Sequence, residues 1–361
     1  MSIFIDFHIL QTVPPSCVNR DDMGSPKTAV YGGAVRARVS SQSWKHAMRA
    51  EFKQLFTEEE LGNRTKNVVE MVEKKMQEAG CELDDKKRHI LAVEALGLAG
   101  IKVKAAKKDE PEKAEALFFM SDKQAKAIAE HALSLDLKAK ETKEILKNDL
   151  RDNPSVDIAL FGRMAASDPT LNYDAAAQVA HAISTHAVQN EYDYFTAVDD
   201  LQKEDNSGAG HLGTVEFNSS TLYRYATVNA SELVKTIGKD NTAETVRKFG
   251  QAFICSMPTG KQSTFANRTF PDTVYVTIRK DQPVNLCGAF EAPVRRSDNG
   301  YAEASEKVLA KYAEKVYARF TAKPVRAFCI GDNFGDDVVS LPLNDLLSEI
   351  EKAVTAELDE V

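Results

Sequence analysis

One short stretch of this chain carries positive charge and no acidic side chain. Residues 23–50 hold Lys27, Arg36, Arg38, Lys45 and Arg49 and contain no Asp or Glu, although the whole chain has a net charge of −8. The same stretch contains Gly32 and Gly33, and glycine lets backbone amides approach an anion closely. Cations, free amides and a helix N-terminus together bind phosphate groups. The sequence therefore predicts a local site for a phosphate backbone.

A helix is predicted to present part of this charge. It begins at Ser40 or Ser41, which suit a helix N-cap, and runs to about Phe56. The apolar stripe consists of Trp44, Met48, Phe52 and Leu55. A second, polar arc consists of Gln42, Lys45, Arg49 and Lys53. At 100° per residue this arc points away from the core, so we expect a basic helix face.

Two further segments contain groups that bind nucleic acid. Tyr192, Tyr194, Phe195 and Thr196 precede the glycines at 208, 210 and 213, and a base can stack on an exposed aromatic ring without sequence preference. Aromatic side chains in loops more often anchor the loop in the core, so both interpretations remain open. The run Pro258-Thr259-Gly260-Lys261-Gln262 lacks the upstream glycine of a nucleotide-binding loop and is a weak signal by itself.

The elements that must position these residues indicate a mixed α and β chain with a helical insertion. Strands are predicted at 3–12, 156–161, within 213–229, at 273–279 and at 324–330. Helices are predicted across 65–150, where Ser121 and Gln124 form a capping box, and at 174–188, 302–320 and 344–361. Asp298-Asn299-Gly300 is predicted to form a tight turn.

Composition excludes several classes of protein. The 361 residues are 43% hydrophobic and 28% charged, as in folded soluble proteins. No apolar run is long enough to span a membrane, and the start lacks the basic region of a signal peptide. The five cysteines have no CxxC spacing, so we expect a cytoplasmic protein with no metal site and no cofactor.

Several long words of the sequence resemble one family. PSCVNRDDM, the following Lys27 and Gly32-Gly33, and ARVSSQSWKHAMR look like the start of the CasC-type backbone subunit of Cascade, the type I-E CRISPR surveillance complex. Further matching words are VDIALFGRMA, AISTHAV, FTAVDDL, HLGTVEF and YRYA, in family order. The resemblance is weak or absent at 59–150 and beyond about 295. His46 and Trp44 depart from the family pattern, and Tyr194 stands where tryptophan is expected.

The resemblance implies an α+β fold shaped like a right hand. Its parts would be a palm of the RNA-recognition-motif (ferredoxin-like) type, a helical fingers insertion and a thumb loop. The implied ranges are 1–58, 181–190 and 216–361 for the palm, 59–180 for the fingers and 191–215 for the thumb.

The resemblance also implies a function. Copies would assemble head to tail along a CRISPR guide RNA (crRNA), kink it, flip out a base at regular intervals, and leave the other bases free to pair with target DNA. Partners would be crRNA, target DNA through the crRNA, further copies of the chain and other Cascade subunits, with no membrane. The implied RNA contacts are Arg20, Lys27, Ser40, Gln42, Lys45, Arg49, Met164, Tyr194, Phe195, Thr196, Lys261 and Gln262.

Two other functions remain open. A metal-dependent ribonuclease would use Asp21 and Asp22, but two-metal cleavage needs several converging carboxylates, and adjacent side chains diverge. These aspartates fit better as a turn cap and as partners of Arg20 or Arg36, so we expect no enzyme. A monomeric, sequence-specific RNA-recognition module lacks its signature motif, although Tyr223 and Tyr225 resemble its aromatic pair.

Overall fold

The computed structural model of the protein describes residues 2–104, 110–197 and 211–360. These residues form fourteen strands and eleven α-helices, so the fold class is α+β, as predicted. The strands are β1 (Phe4–Ser16), β2 (Thr28–Tyr31), β3 (Ala34–Val39), β4 (Gly62–Thr65), β5 (Val103–Lys104), β6 (Lys113–Ala114), β7 (Phe118–Ser121), β8 (Ala177–Val179), β9 (Ala182–Ser184), β10 (Glu191–Ala197), β11 (His211–Asn229), β12 (Thr273–Arg279), β13 (Arg326–Ile330) and β14 (Val339–Ser340).

Helices occupy much of the remaining chain. They are α1 (Ser41–Leu55), α2 (Val68–Glu78), α3 (Asp85–Leu98), α4 (Asp122–Ser134), α5 (Lys140–Arg151), α6 (Val156–Phe161), α7 (Ala230–Ile237), α8 (Lys239–Cys255), α9 (Gln262–Phe265), α10 (Ala302–Arg319) and α11 (Leu343–Asp359). Short 3-10 helices lie at Glu58–Glu60, Pro169–Leu171 and Leu286–Phe290.

The chain divides into two compact units. The sheet unit comprises residues 1–48, 179–227 and 249–361, and the helical unit comprises 49–178 and 228–248. The segment 228–248 returns to the helical unit from far along the chain, which the sequence did not indicate. The assignment of ranges to a palm, fingers and a thumb, and the right-hand shape, stay predictions.

The sheet unit is built on one large sheet. Its strands lie in the order β14-β13-β12-β1-β11-β9-β3-β2, with β10 and β8 also paired to β11. β1 is a central strand, as predicted, and pairs antiparallel with β12 from Phe4 opposite Arg279 to Leu10 opposite Thr273. Residues 5–11 are all buried, because an apolar sequence on both strand faces suits a strand covered on both sides.

Two apolar clusters stabilise the sheet unit. In one, the Leu286–Phe290 turn and α10 pack on the sheet, with Leu10, Phe290 and Leu309 at its centre. In the other, Trp44 of α1 packs with Val39 and Met257. Trp44 is fully buried, which confirms its expected place in the core. His46 is exposed, as expected.

The helical unit has its own core. α2, α3, α4 and α5 enclose a cluster that includes Val72, Leu96, Ile128 and Leu146. The predicted capping box at the start of α4 is confirmed, because the Ser121 hydroxyl accepts from Gln124 N while Gln124 Oε1 accepts from Ser121 N. Helix content across 65–150 is confirmed in the described residues.

Two predicted elements are wrong. Residues 156–161 form helix α6, because a short apolar run suits a buried helix as well as a strand and Ser155 precedes it in extended conformation. The predicted helix at 174–188 is replaced by β8 and β9. There β9 pairs with both β3 and β11, and these tertiary hydrogen bonds override the helix propensity of an alanine-rich segment. His181 therefore precedes a strand and does not lie on a helix.

Most of the other elements agree with the sequence. α1, β12, α10, β13 and α11 all lie within a few residues of the predicted bounds. The tight turn at 298–300 is present, with Gly300 at φ +78° and its N–H donating to Ser297 O at 3.2 Å. The predicted strand pair within 213–229 is instead one long strand, β11.

Candidate nucleic-acid interface

The loop after β1 is built around Asp21. Its Oδ1 accepts from Met23 N at 2.9 Å and from Ser25 N at 3.0 Å, which closes a tight turn. This confirms the expected turn cap for Asp21. Arg20, in a bridge with Pro26, remains exposed beside the turn. The expected pairing of these aspartates with Arg36 is wrong, because Arg36 is fully buried and donates to carbonyl oxygens of Ser184 and Phe290, each at 2.8 Å.

Asn19 ties this loop to the start of α1. Its backbone oxygen accepts from Lys27 N at 2.8 Å and its side-chain oxygen accepts from Ser40 N at 2.9 Å. The Ser40 hydroxyl accepts from Ser43 N at 3.3 Å, so Ser40 is the N-cap. The loop cations and the helix N-terminus are thus held together, which favours anion binding.

The polar arc of α1 divides into two parts. Gln42 is exposed and Lys45 is half-buried, and burial lowers the pKa of Lys45. Both lie in the sheet unit. RNA contact by Ser40, Gln42 and Lys45 stays a prediction, and the Ser40 hydroxyl already has its capping role.

Arg49 lies in the helical unit and contradicts the expectation of an outward-pointing cation. Its Nε donates to Asp157 Oδ2 at 3.0 Å and its Nη2 donates to Gly62 O at 3.1 Å. The guanidinium also lies 4.6 Å from the Phe119 ring centre. Asp157 is only 2% exposed, so Arg49 neutralises a buried carboxylate. The arc prediction failed here because this acid comes from a segment more than a hundred residues away.

The 258–262 loop packs against the Arg20 loop. A Cβ on Gly260 would lie 2.1 Å from Val18 O, so glycine is needed for this close approach. Burial raises the pKa of the Cys17 thiol, while the nearby positive charges of Arg20 and Lys261 oppose that rise. The structure therefore brings together two predicted cations, Arg20 and Lys261, from distant parts of the sequence. Gln262 begins α9 beside them.

The aromatic segment forms a hairpin. β10 pairs antiparallel with β11, so that Tyr194 lies opposite Thr214 and Phe195 opposite Gly213. Tyr194 is 65% exposed and Phe195 41% exposed, and Thr196 on the same strand is also exposed. A Cβ on Gly213 would lie 2.3 Å from the Phe195 ring, so this ring covers the glycine. Gly208 and Gly210 lie outside the described residues. The exposure argues against a core anchor.

The base of the β10–β11 hairpin contacts α9, the helix that follows the 258–262 loop. The rings of Phe217 and Phe265 lie 5.9 Å apart between their centres, which joins β11 to α9. The hairpin and the basic loops of the sheet unit are therefore neighbours.

Met164, in the helical unit, is 85% exposed. The preceding residue holds its backbone firmly, since Arg163 is buried and donates to Leu171 O at 3.0 Å and Leu150 O at 2.6 Å. An apolar side chain on a rigid support and in full contact with solvent suits the expected wedge.

Sequence reasoning missed a buried cation behind the interface. The guanidinium of Arg224 lies 3.7 Å from the Trp44 ring centre and donates to Gln11 Oε1 at 2.6 Å and to Phe253 O. Gln11 in turn donates to Thr269 O at 2.9 Å. Burial lowers the pKa of Arg224 to about 9. The network stabilises α1 and the chain that follows the 258–262 loop. In the sequence, the one indication of this network is the arginine within the otherwise apolar word YRYA.

The sequence also did not predict a cluster of three basic side chains beside β3. Arg38 Nη1 and His181 Nδ1 are 3.1 Å apart, and Lys27 is close enough for its charge to affect His181. The acid-free window indicated Lys27 and Arg38. The position of His181 beside them was not predictable while residues 174–188 were predicted to form a helix.

Residues 2–104, 110–197 and 211–360 contain no group of three or more His, Cys, Asp or Glu side chains arranged to hold a metal ion. Nor is any of their helices long and apolar enough to cross a membrane.

Comparison with solved structures defines the class of protein. A chain of a structure described as "CRISPR RNA-guided surveillance complex, pre-nicking" has a TM-score of 0.84 and 32% identity, covering 97% of this chain and 100% of that chain. A chain of a "CRISPR RNA-guided surveillance complex" has a TM-score of 0.63 and 30% identity, covering 98% and 99%. The fold is therefore that of chains in these complexes.

The family profile described as "CT1975-like protein" matches residues 5–349. The protein belongs to the CT1975-like family. The match includes 59–150 and most of the chain beyond 295, where the sequence words were weak. A comparison with curated proteins gives no match. The CasC-type and type I-E assignments stay predictions.

Proposed function

We propose that this chain is the crRNA-binding backbone subunit of a type I-E Cascade in the cytoplasm. Copies bind head to tail along the spacer, kink it, and present its bases to target DNA, together with other Cascade subunits. One observation carries the proposal: at 32% identity and over 97% of its length, the chain matches a chain of a CRISPR RNA-guided surveillance complex with a TM-score of 0.84. A head-to-tail contact is heterologous, so it generates an open filament whose length the RNA can set.

The basic surface suits a subunit that binds guide RNA of any sequence. Arg20 and Lys261 converge on one surface, and Lys27 and the N-terminus of α1 are tied to the same loop. Contacts to phosphates fix position without reading bases, which leaves the base edges free to pair. Gln42 and Lys45 extend this surface along α1.

The strand order supports a palm of the RNA-recognition-motif type. Six elements, β1, α1, β9, β11, α8 and β12, occur in the chain order β-α-β-β-α-β with other elements inserted between them, and their strands lie in the order β12-β1-β11-β9. A ferredoxin-like unit has the same order, with its first and third strands central. β2 and β3 are an addition between β1 and α1.

The exposed apolar groups supply the kink. Phe195 and Tyr194 on the β10–β11 hairpin offer stacking faces, and Met164 offers a wedge. Base stacking on such rings is tolerant of sequence, which suits a subunit that binds every spacer.

The nuclease alternative gains no support from the geometry. Asp21 Oδ1 is engaged by two backbone N–H groups, and the described residues form no acidic cluster around it. We therefore propose that the subunit is not an enzyme. Highly purified chain should leave RNA and DNA intact in Mg²⁺ or Mn²⁺. Metal-dependent cleavage that Asp21→Ala or Asp22→Ala abolishes, while assembly on RNA persists, would establish the nuclease instead.

Co-expression with a CRISPR array, followed by sequencing of the RNA that co-purifies, tests the proposal. We expect guide-derived RNA of every spacer, and less of it in the double variant Arg20→Glu/Lys261→Glu. Lys352→Glu, at an exposed position of α11, is the matched control and should retain RNA. Recovery of one defined non-CRISPR RNA would favour a sequence-specific module, and RNA-free protein would contradict RNA binding.

A further inference from the structure

Three basic groups meet at one edge of the large sheet. Arg38 lies on β3, opposite Ile183 of β9, and this pairing places His181 beside its guanidinium. Arg38 Nε donates to Thr28 O at 3.2 Å, and Arg38 N donates to Lys27 O at 2.9 Å. His181 is exposed, and Arg38 and Lys27 are partly exposed. Strand pairing of β3 with β2 and β9 therefore brings the three residues together, and their side chains are open to solvent.

No acid balances this group within the described residues. The ion pairs found in 2–104, 110–197 and 211–360 include neither Lys27 nor Arg38 nor His181. Partial burial lowers the pKa of His181, and the charges of Arg38 and Lys27, the two charged groups that face it, lower it further. Because a guanidinium can only donate, the His181 Nδ1 accepts from Arg38 at 3.1 Å, which requires that ring nitrogen to carry no proton.

We propose that Lys27, Arg38 and His181 form a subsite for one RNA phosphodiester, and that His181 takes up a proton from solvent when the phosphate binds. The inference rests on the proposed function. A bound phosphate adds a negative charge beside His181, which offsets the repulsion from Arg38 and Lys27, so it favours the imidazolium form. Protonated Nδ1 no longer accepts from Arg38, which leaves both side chains to donate charge-assisted hydrogen bonds to phosphate oxygens.

Proton uptake makes RNA binding depend on pH. The pKa of His181 lies below its usual value in the free protein and rises in the complex, so affinity increases as pH falls between these two values. The limiting slope for one proton is tenfold per pH unit. Buried His8 and the acid-paired His131 have no route to this effect.

Fluorescence anisotropy of the full chain with a single-stranded RNA oligonucleotide between pH 8 and 5.5 tests the subsite. We expect wild-type affinity to rise several-fold as pH falls, and His181→Gln to remove that rise. His46→Gln, at an exposed histidine of α1, is the control and should keep the rise. Lys27→Gln and Arg38→Gln should each reduce the salt slope by about 0.7. An unchanged pH dependence in His181→Gln would overturn the proposal.

An NMR titration of the His181 ring separates this inference from the proposed function. RNA should raise the His181 pKa, and inorganic phosphate should raise it at higher concentration. If RNA binds but neither probe moves the His181 pKa, the subsite is wrong. If RNA does not bind while inorganic phosphate raises the pKa, the anion site stands and the proposed function fails.

Discussion

Arg49 and Arg38 look alike in the sequence, because both lie in the acid-free window at 23–50. Arg49 is held by a carboxylate that is 2% exposed, whereas Arg38 faces a neutral histidine and another cation. The difference teaches that a basic residue acts structurally or binds an anion according to whether a distant acid reaches it. Local charge patterns cannot reveal that acid.

The largest effect is expected for Arg49, which forms an ion pair with the buried Asp157. Arg49→Ala should reduce the free energy of unfolding of RNA-free protein by about 3 kcal/mol, because it leaves the Asp157 carboxylate buried without its cation. Lys53→Ala, an exposed lysine of the same helix arc, is the control and should change stability by less than about 0.5 kcal/mol. Chemical denaturation measures both. Equal, small effects would mean that Arg49 is not structural.

The same contrast applies to histidines. His8 is fully buried, its Nδ1 lies 2.9 Å from the Tyr223 hydroxyl, and burial lowers its pKa to about 3. The unfolded chain therefore binds a proton below pH 6.5 that the folded chain does not, and stability is lost as pH falls through that window. Asp6 opposes this, because burial raises its pKa to about 6 and its contribution is lost as pH rises.

His8→Phe isolates the histidine contribution. The difference in unfolding free energy between wild type and variant should change by about 2 kcal/mol between pH 7 and pH 5, in favour of the variant at low pH. The Asp6 contribution cancels in this difference. Denaturation curves at several pH values provide the measurement, and a difference independent of pH would contradict the buried, neutral state of His8.

Exposed aromatic and sulfur side chains should affect RNA and not folding. Phe195→Ala and Met164→Ala should each weaken RNA binding by about 1 kcal/mol, because each removes a stacking or wedging surface. Thermal melting of the RNA-free variants should resemble wild type. Phe290→Ala, at a fully buried ring, is the contrasting control and should cost about 3 to 5 kcal/mol of stability. A similar melting drop for Phe195→Ala would assign that ring to the core.

The smallest effect is expected for the cations Arg20 and Lys261. Arg20→Glu/Lys261→Glu removes two phosphate contacts and should lower the slope of log affinity against log salt by about 1.4. Stability should stay unchanged because both side chains are at least partly exposed. Binding isotherms between 50 and 200 mM salt test this, and a wild-type slope would place the RNA elsewhere.

The sequence predicted what short-range patterns determine. Apolar periodicity located β1, α1 and α10, and the capping rules located the start of α4 at Ser121. It failed where tertiary partners decide the outcome: α6 is too short for periodicity to distinguish helix from strand, and β9 is fixed by β3 and β11. For the site, RNA contact by Arg20 and Lys261 stays a prediction, and no sequence pattern indicated the close approach at Gly260 that brings their loops together. The Arg49–Asp157 pair and the Arg224 network needed three-dimensional contacts.

A series of spacer lengths tests whether copies of the chain assemble along the guide RNA. Native mass spectrometry of the chain co-expressed with arrays of increasing spacer length counts the copies on each guide RNA. Copies that grip phosphates at regular intervals should increase stepwise with spacer length, one subunit for each fixed number of added nucleotides. A copy number that does not change with spacer length would contradict head-to-tail assembly along the guide RNA.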